Sequence, residues 1–504
     1  RENDRRGNHP SPDRYTDFGR RVEEIDHHPT YHRAGEYIYG SGIIAAYERH
    51  PNAVGALARF YLSSYNSEAG HNCPVACTAG VVRVLQELAD DDLREAYLPG
   101  FLSPDYDEHL EGAQFLTEIQ GGSDVGKNAT RAERAEDGTY RIWGEKWFCS
   151  NVDADVFLMT ARLEGGPEGT DGLGLFLVPR ETEDGQVNAF EIRRLKDKIG
   201  TRAMASAECT FEGARAYHLG EEGEGFRNMM RYVINTSRLY NALACVGSAR
   251  RAFVVAASYA RFREAFGRPI VQYPLIRETL AEMKAEIDAA LSGSLHMAWL
   301  QDEIDAGDAD SDMEGFFRMA LNLNKIRTAK LGRRAAVKGI EVLGGNGAIE
   351  TFSVLPRLLR DSIVTENWEG THNTLQMQIM RDMQKYAVHE GFMSYVRSLL
   401  ETARDEDADL ARRVRGALET EAADLAELAT LDRGAATLKM RSSLDRLAWI
   451  AHAAVRIWER GRLETDADAA DASLEHFVRT RVADDAEPTS EAYADRIETL
   501  ARAI

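Results

Sequence analysis

The segment GTYRIWGEKWFCSNVDADVFLMT, residues 138–160, contains two predicted β-strands in the first third of a 504-residue chain. Residues 138–143 follow a turn-forming Glu-Asp-Gly sequence, and residues 155–160 form a short apolar run with the length of a buried strand. A Gly/Pro-rich turn then leads to another apolar run at residues 174–178. This period-two pattern extends over about residues 115–222 and predicts a β-rich domain there.

Helical periodicity dominates on both sides of this region. Before about residue 114, apolar residues recur at three-to-four spacing, as at Leu57, Phe60 and Tyr61. Beyond Gly225 one long predicted helix carries an apolar face formed by Ile276, Leu280, Met283, Ile287, Leu291 and Leu295. The same pattern recurs in segments 238–265, 314–342 and 371–390. Several such helices in succession predict a bundle.

The order of these elements predicts an α+β chain and excludes an alternating βαβ protein. We expect an N-terminal helical domain at residues 1–114 and a central β-barrel-like domain at residues 115–222. A C-terminal four-helix bundle follows at residues 223–392, and residues 393–504 form an extra helical extension rich in Ala, Arg, Asp and Glu.

Composition narrows the class of protein further. The chain has 61 basic and 82 acidic side chains, a net charge of −21, which repels a phosphate backbone and disfavours general nucleic-acid binding. No apolar run is long enough to span a bilayer, and the charged first residues do not resemble a signal peptide. Five cysteines are too few for a disulfide scaffold and indicate a reducing compartment. We therefore predict a cytoplasmic protein without membrane association.

Two short patterns resemble a phosphate-binding loop and half of a metal site, but the neighbouring sequence favours neither. Residues 121–128, GGSDVGKN, nearly match a phosphate-binding loop, but Asn128 replaces the required hydroxyl and the next residues predict a hairpin instead of a helix. Cys73 and Cys77 resemble half a metal site without a second pair, so we predict packing residues and no metal. A Gly-x-Gly-x-x-Gly fingerprint is absent, which disfavours a Rossmann-bound cofactor. His27, in a polar Pro-containing segment, is expected at the surface with its neighbours His28 and His32.

Five motifs occur in one order along the chain: FLTEIQGGSD at 115–124, GEKWFCSN at 144–151, RFREAFGR at 261–268, EVLGGNG at 341–347, and LLRD at 358–361 with WEGT at 368–371. Together they resemble the signatures of the acyl-CoA dehydrogenase flavoproteins. The phrases LKDKIG at 195–200 and LPRL at 355–358 are similar to the AidB-like (adaptive-response) branch of that family. The resemblance covers roughly residues 40–390. The C-terminal extension resembles that of the AidB-like branch only in its length and helical character.

The resemblance implies an FAD-dependent acyl-CoA dehydrogenase in which Glu369 is the catalytic base. Removing an α-proton from a thioester needs a carboxylate whose pKa is raised by burial and an enolate that is stabilised. Trp368 would help exclude water, and Gly370 would allow backbone and flavin to approach closely. The alternative is that Glu369 only caps the helix that begins at Thr371.

The family also implies how the cofactor is held. Phe148 would lie against the isoalloxazine ring, Ser150 would offer its hydroxyl to N5, and Arg263 would neutralise the diphosphate across a subunit boundary. The implied cofactor-binding set is Leu116, Thr117, Gly122, Ser123, Phe148, Cys149, Ser150, Arg263, Phe266, Glu341, Gly344, Gly345, Gly370, Thr371 and Asn373. Strand alternation places either Trp147 or Phe148 in the core instead, and Arg263 on its predicted helix could be a solvated charge.

Ser123 and Arg238 are the implied substrate contacts, and here the chain departs from the family pattern. The usual glutamine before the double glycine is Glu341, and the common aspartate opposite the CoA adenine is Asn235. One residue is added between Gly347 and Arg360. These departures concern the CoA portion of the substrate.

The leading hypothesis is α,β-dehydrogenation of an acyl-CoA, in a homotetramer that serves fatty acid metabolism and passes electrons to an electron-transfer flavoprotein. An alternative is a stress- or alkylation-response flavoprotein with weak dehydrogenase activity and possible nucleic-acid association. The acidic extension argues against that role, because a nucleic-acid-binding version would collect Arg and Lys there. An oxygen-using oxidase or hydroxylase is a third alternative.

Overall fold

The computed structural model describes residues 9–66, 69–462 and 468–503. The chain divides into two compact units: the first contains Arg1–Phe60 and Glu68–Tyr240, and the second contains Tyr61–Ser67 and Asn241–Ile504. Among the described residues, no helix combines the length and the apolar character needed to cross a bilayer.

The first unit begins with strands and then continues with helices. Its elements before the central sheet are β1 (Ser11–Tyr15), β2 (Arg21–Asp26), α1 (Pro29–Gly40), α2 (Ala53–Tyr65), α3 (Asn72–Leu88) and α4 (Asp91–Leu102). Helix α4 starts where the Asp90 side chain accepts a hydrogen bond from the Leu93 amide, and two further aspartates occupy its first turn. An acidic N-cap followed by acidic residues is stabilised by the helix dipole.

The central sheet closes on itself. Its strands are β3 (Gly112–Phe115), β4 (Arg131–Arg134), β5 (Tyr140–Ser150), β6 (Val156–Leu163), β7 (Leu173–Pro179), β8 (Phe190–Leu195) and β9 (Ser206–Leu219). Strand β6 pairs with β4 and β7, β4 pairs with β5, and β9 pairs with both β5 and β7, so these strands form a ring. Strands β3 and β8 extend the sheet beside β6 and β9. The predicted barrel-like β domain is confirmed.

The prediction that residues before 114 are helical is wrong for the first segment. Strands β1 and β2 form an antiparallel hairpin instead. The Arg21 guanidinium donates to the Phe190 carbonyl, and the buried Glu23 carboxylate accepts the Ile192 amide at 2.8 Å. Both partners belong to β8, so the hairpin is held by residues that are about 170 positions away in sequence. Local periodicity carries no information on such pairing.

After the sheet, α5 (Gly225–Asn228) and a π-helical turn (Met229–Ile234) lead into a long helix. The second unit is built from long helices with a short hairpin. These are α6 (Asn235–Phe262), which begins in the first unit, then β10 (Glu264–Ala265), β11 (Arg268–Pro269), α7 (Pro274–Ala306), α8 (Ser311–Leu343), α9 (Leu355–Thr365), α10 (His372–Tyr386) and α11 (Val388–Leu400).

The apolar face predicted for residues 276–295 is observed on α7. Leu280, Met283 and Ile287 are buried in a cluster with apolar residues of α6, α8 and α9. Burying side chains of this kind contributes roughly 1.5–3 kcal/mol each. The helical C-terminal domain predicted from the sequence is therefore confirmed.

The extension continues the helical unit. It contains α12 (Ala408–Leu428), α13 (Arg433–Arg460), α14 (Asp468–Phe477) and α15 (Glu491–Arg502). Helices α13, α14 and α15 pack against α7, and α13 also packs against α8. The buried Glu286 carboxylate on α7 forms salt bridges with Arg327 of α8 and with Arg481 of the extension. These ion pairs link the three segments.

Candidate functional site

The loop after β3 is fastened to β5. The Asn128 amide donates to the Leu116 carbonyl at 2.7 Å, and the Trp147 amide donates to the Thr117 carbonyl at 2.8 Å. Residues Val125–Lys127 form a single 3-10 turn that leads into β4. The phosphate-loop pattern is therefore followed by a strand, as predicted, and Leu116 and Thr117 lie beside the strand that carries Trp147.

A buried ion pair fixes the same loop. Glu118 is 3% exposed and Lys146 is 1% exposed, and the Lys146 ammonium lies 2.7 Å from the Glu118 carboxylate. The ammonium also donates to the Thr160 carbonyl, while Glu118 accepts the Ala129 amide. Although burial alone would raise it, the charge of Lys146 and these hydrogen bonds hold the pKa of Glu118 below its ordinary value. The sequence analysis missed this pair, because β5 also carries Arg141 and Glu145 and nothing in the sequence distinguishes Lys146 as the buried charge.

Neither aromatic ring at the end of β5 lies in the core. Phe148 is 37% exposed, Trp147 is half-buried, and Cys149 is the residue that joins the core cluster. The strand register shifts between Lys146 and Cys149, so simple alternation fails there and the prediction that one ring is core is wrong. The Lys196 ammonium lies 3.7 Å from the Trp147 ring centroid and 5.3 Å from that of Phe148.

Ser150 ends β5 in a polar environment. Its hydroxyl lies 2.9 Å from the Ser206 hydroxyl, which in turn accepts the Lys198 ammonium at 2.9 Å. Cys149, by contrast, is fully buried and belongs to the core cluster. The end of the strand that carries the partly exposed Phe148 therefore has the Ser150 and Ser206 hydroxyls and the Lys198 ammonium close together.

Asn151 joins the end of β5 to the start of β3. Its side-chain amide donates to the Glu111 carboxylate at 3.0 Å and to the Gly112 carbonyl at 3.1 Å. Asn151 has a φ of 58°, a left-handed conformation that asparagine tolerates better than most residues. The burial of Glu111 and the neighbouring Asp153 charge raise the pKa of Glu111 to about 8.

His27 lies in this neighbourhood, which corrects its predicted surface position. Its ring stacks on Tyr31 at a centroid distance of 4.0 Å, and its Nε2 lies 2.9 Å from the Asp153 carboxylate. Burial of His27 results from these tertiary contacts, whereas His32 is exposed and His28 is half-buried.

We expect Glu111→Gln to make the protein less sensitive to alkaline pH. The folded chain keeps the Glu111 proton up to about pH 8, whereas the unfolded chain releases it near its ordinary pKa of 4.5. The free energy of unfolding therefore falls as pH rises through this window, by on the order of 5 kcal/mol from this group. Asp153, Asp155, Tyr39 and Asn151 face this carboxyl and remain unchanged.

The measurement is the urea midpoint of wild type and variant from pH 5 to pH 9. Glu108→Gln, an exposed carboxyl on the same segment, is the control. Parallel pH curves for wild type and Glu111→Gln would contradict the expected linkage.

In the second unit, Glu369 lies in the loop between α9 and α10. It is half-buried, with a φ of 55°, and Gly370 follows with a φ of 104°. Thr371 is the N-cap of α10 and accepts the Thr374 amide at 3.4 Å. Thr371, and not Glu369, is therefore the N-cap of this helix, against the helix-capping alternative.

Three side chains from α6 and α8 anchor this loop. The Asn241 amide donates to the Thr365 carbonyl at 3.0 Å, and the Arg333 guanidinium donates to the Glu366 carboxylate at 3.0 Å. The Lys325 ammonium donates to the carbonyls of Glu366 and Gly370 at 2.8 and 2.9 Å. The sequence analysis did not single out Lys325, whose signal was a lysine among the buried positions of a long helix.

The helix predicted to carry Arg263 ends before it. Helix α6 stops at Phe262, and β10 and β11 form a hairpin with a two-residue turn at Phe266 and Gly267. Both turn residues have positive φ, 52° and 87°, which suits a tight hairpin connection. Arg263 is exposed at the start of this hairpin, and Phe266 is 97% exposed.

The remaining predicted residues lie at element ends. Glu341, Gly344 and Gly345 are exposed at the end of α8, and Gly344 caps that helix with a φ of 62°. The Asn373 side-chain oxygen Oδ1 accepts a hydrogen bond from the Arg441 guanidinium of α13 at 3.1 Å. In the first unit, Gly122 and Ser123 are exposed in the loop after β3, and the buried Arg238 guanidinium donates to the Asn235 Oδ1 at 3.4 Å.

The structure supports no metal centre in the ranges that it describes, where no three His, Cys, Asp or Glu side chains group as ligands. Cys73 and Cys77 lie on α3 with their sulfurs 3.7 Å apart. Within the first unit, Leu116 and Thr117 lie beside the strand that carries Phe148 and Ser150. Within the second unit, one turn places Glu369 and Gly370 directly before α10.

Comparisons with known proteins match three domain families to successive parts of the chain. They are the adaptive response protein AidB N-terminal domain over residues 3–108, the acyl-CoA dehydrogenase middle domain over residues 113–214, and the acyl-CoA dehydrogenase C-terminal domain over residues 223–384. AidB of Escherichia coli (strain K12) is 36% identical over 395 residues, which cover 75% of this chain and 70% of that protein.

Solved structures agree with these matches. The crystal structure of Caenorhabditis elegans ACDH-11 in complex with C11-CoA has a TM-score of 0.86 at 28% identity, covering 95% of this chain and 83% of that one. An acyl-CoA dehydrogenase of Bacillus anthracis, complexed with FAD, shares the fold with a TM-score of 0.70 at 22% identity, covering 93% of this chain and 82% of that one.

Proposed function

This chain belongs to the acyl-CoA dehydrogenase family, and from that membership we propose that it is an FAD-dependent enzyme that converts an acyl-CoA to its α,β-unsaturated thioester. The AidB-like resemblance expected from the sequence is confirmed by the match to that N-terminal domain and to AidB. The observation that carries the proposal is the half-buried Glu369 in a left-handed turn, two residues before Thr371, which caps α10.

We propose that the Glu369 carboxylate accepts the α-proton of the bound thioester. The C–H electron pair then forms the new double bond as the β-hydrogen leaves with its own pair. A carboxylate with restricted access to water binds a proton more readily than one in bulk solvent. Trp368, adjacent in sequence and also half-buried, supports this exclusion of water.

The residues of each unit fit the demands of an FAD cofactor. When bound, FAD accepts the β-hydrogen as a hydride. Phe148 presents an accessible aromatic face, and the Ser150 hydroxyl ends the same strand. The exposed Arg263 would neutralise a diphosphate, and side chains added at Gly344 or Gly345 would meet no atom within 4 Å, so the backbone there is open to a ligand. The rest of the cofactor-binding set named from the sequence, and the substrate contacts Ser123 and Arg238, stay predictions.

The test is anaerobic mixing of the purified yellow protein with a panel of acyl-CoA thioesters, straight and branched. We expect at least one thioester to bleach the flavin absorbance in a single turnover. No bleaching by any of them would overturn the dehydrogenase proposal. Chain length and branching preference follow from the same panel.

We further propose a cytoplasmic homotetramer that serves fatty acid metabolism and passes electrons to an electron-transfer flavoprotein. Support for self-association comes from Phe262 and Phe266, which are 85% and 97% exposed on either side of Arg263. Large apolar side chains exposed beside a cation are typical of a contact surface. Sedimentation of the holoprotein tests the tetramer.

The nucleic-acid alternative gains no support from the extension. Several of its arginines are engaged with carboxylates, as in Arg397 with Glu419 and Arg460 with Asp407. Positive charges neutralised in this way contribute little to binding a phosphate backbone.

A further inference from the structure

Lys325 is a fully buried lysine in the middle of α8. Its ammonium lies against the loop that carries Glu369 and donates to the main-chain carbonyls at both ends of it, Glu366 and Gly370. Placing an ammonium in the interior is costly unless it is well hydrogen-bonded, so an arrangement of this kind indicates a specific requirement.

The loop that carries Glu369 has positive φ angles at two successive residues. Glu369 has a φ of 55°, a left-handed conformation that is unfavourable for a residue with a side chain. The next residue has a φ of 104°, which is open essentially to glycine alone. Such strained turns persist only where surrounding contacts determine them.

Hydrogen bonding to both carbonyls determines where Glu369 lies. Lys325 closes residues 366–370 into a loop around one ammonium group, with donor–acceptor distances of 2.8 and 2.9 Å. Asn241 fixes the residue before this loop, and Arg333 fixes the Glu366 side chain. The Glu369 side chain then leaves the loop on a backbone held on both sides.

We propose that Lys325 is a positioning residue for Glu369, acting through its hydrogen bonds to the loop backbone. This inference rests on the proposed function for its catalytic consequence, but the loop geometry does not depend on it. Base catalysis requires the carboxylate within hydrogen-bond reach of the α-carbon proton, and displacements near 1 Å cost about 100-fold in rate.

The experiment compares Lys325→Met with Lys338→Met in the flavin-loaded protein. Lys338 lies on the same helix and pairs with Glu282. Its side chain is partly exposed, whereas that of Lys325 is fully buried, so the control removes a helix lysine and its ion pair without breaking the hydrogen bonds to Glu366 and Gly370. We expect Lys325→Met to lower kcat about 10- to 100-fold with KM changed less than about threefold. We also compare bleaching rates with substrate that is protonated or deuterated at the α-carbon. The kinetic isotope effect should be larger in Lys325→Met than in wild type, because proton removal becomes slower in the variant. Lys338→Met should match wild type in both.

Hydrogen exchange gives a readout that does not depend on turnover. Amide exchange in residues 365–371 should accelerate at least about tenfold in Lys325→Met, while peptides from strands β5 and β9 stay unchanged. Lys325→Gln keeps hydrogen-bond donors but removes the charge, so its exchange rates in residues 365–371 should lie between those of wild type and Lys325→Met. This variant also provides a second test in case Lys325→Met does not fold.

The outcomes separate the two proposals. If wild type bleaches with a thioester but Lys325→Met matches it in kcat and loop exchange, the positioning role is wrong. If wild type bleaches with none while Lys325→Met still loosens the loop, the proposed function fails and the backbone clamp stands. If loop exchange and isotope effect are both unchanged although kcat falls, Lys325 acts in another way and the inference is overturned.

Discussion

Glu369→Gln is expected to keep the flavin and to lose most of its reduction by acyl-CoA, with a fall in the rate of bleaching of about 100- to 10,000-fold. Glutamine has nearly the shape of glutamate, so the loop held by Thr371 and Lys325 is expected to keep its conformation. An amide cannot accept the α-proton, however, and general-base catalysis of this kind contributes about 100- to 10,000-fold. The measurement is anaerobic stopped-flow absorbance with the thioester that bleaches wild type fastest.

Glu390→Gln serves as the matched control, because Glu390 is an exposed carboxylate at the start of α11. It should bleach at the wild-type rate. Visible spectra before mixing show whether each variant binds flavin. Retained bleaching in Glu369→Gln would mean that another group is the base.

Lys146→Met is expected to lower the free energy of unfolding by about 3–5 kcal/mol. The substitution leaves the Glu118 carboxylate buried without its cation, at a site that is 3% exposed. It also removes the donor to the Thr160 carbonyl, so a second buried acceptor loses its partner. Urea unfolding followed by tryptophan fluorescence measures the loss, and flavin affinity should weaken because Leu116 and Thr117 are in the loop that Glu118 holds.

The double variant Glu118→Gln with Lys146→Met distinguishes an uncompensated charge from a simple packing defect. Removing both charges should recover much of the lost stability, since replacing a buried pair by neutral groups is far less costly than breaking it. Lys127→Met, at an exposed lysine paired with Asp124, should change stability by less than about 1 kcal/mol. A double variant as unstable as the single one would show that charge is not the cause.

Elements with regular local periodicity were predictable. The face of α7 through Leu280 and Ile287, and the strand over residues 155–160, follow from side-chain spacing alone. Order and spacing of the motifs also allowed the family to be identified. These features depend on residues close together in the chain, where backbone geometry sets which side chains share a face.

Elements defined by distant partners were not predictable. The β1–β2 hairpin depends on β8, and the burial of His27 depends on Asp153. Helix α6 ends at Phe262, before a hairpin whose turn residues Phe266 and Gly267 both have positive φ angles. The helical pattern of the sequence did not predict this end of the helix. Each prediction failed where a tertiary contact or a strained backbone outweighed local propensity.

Residue identity and spacing were thus sufficient for the helix–sheet–helix order and for the family, and the family resemblance implied Glu369 as the candidate base. Its surroundings emerged only in three dimensions: Thr371 as the helix cap, Lys325 beneath the loop, and Glu118 with Lys146 behind the strand. Lys325 and Gly370 are 45 positions apart in sequence, and Glu118 and Lys146 are 28 apart. Hydrogen bonds over such separations form only when the chain has folded, because packing of whole elements brings the partners within reach.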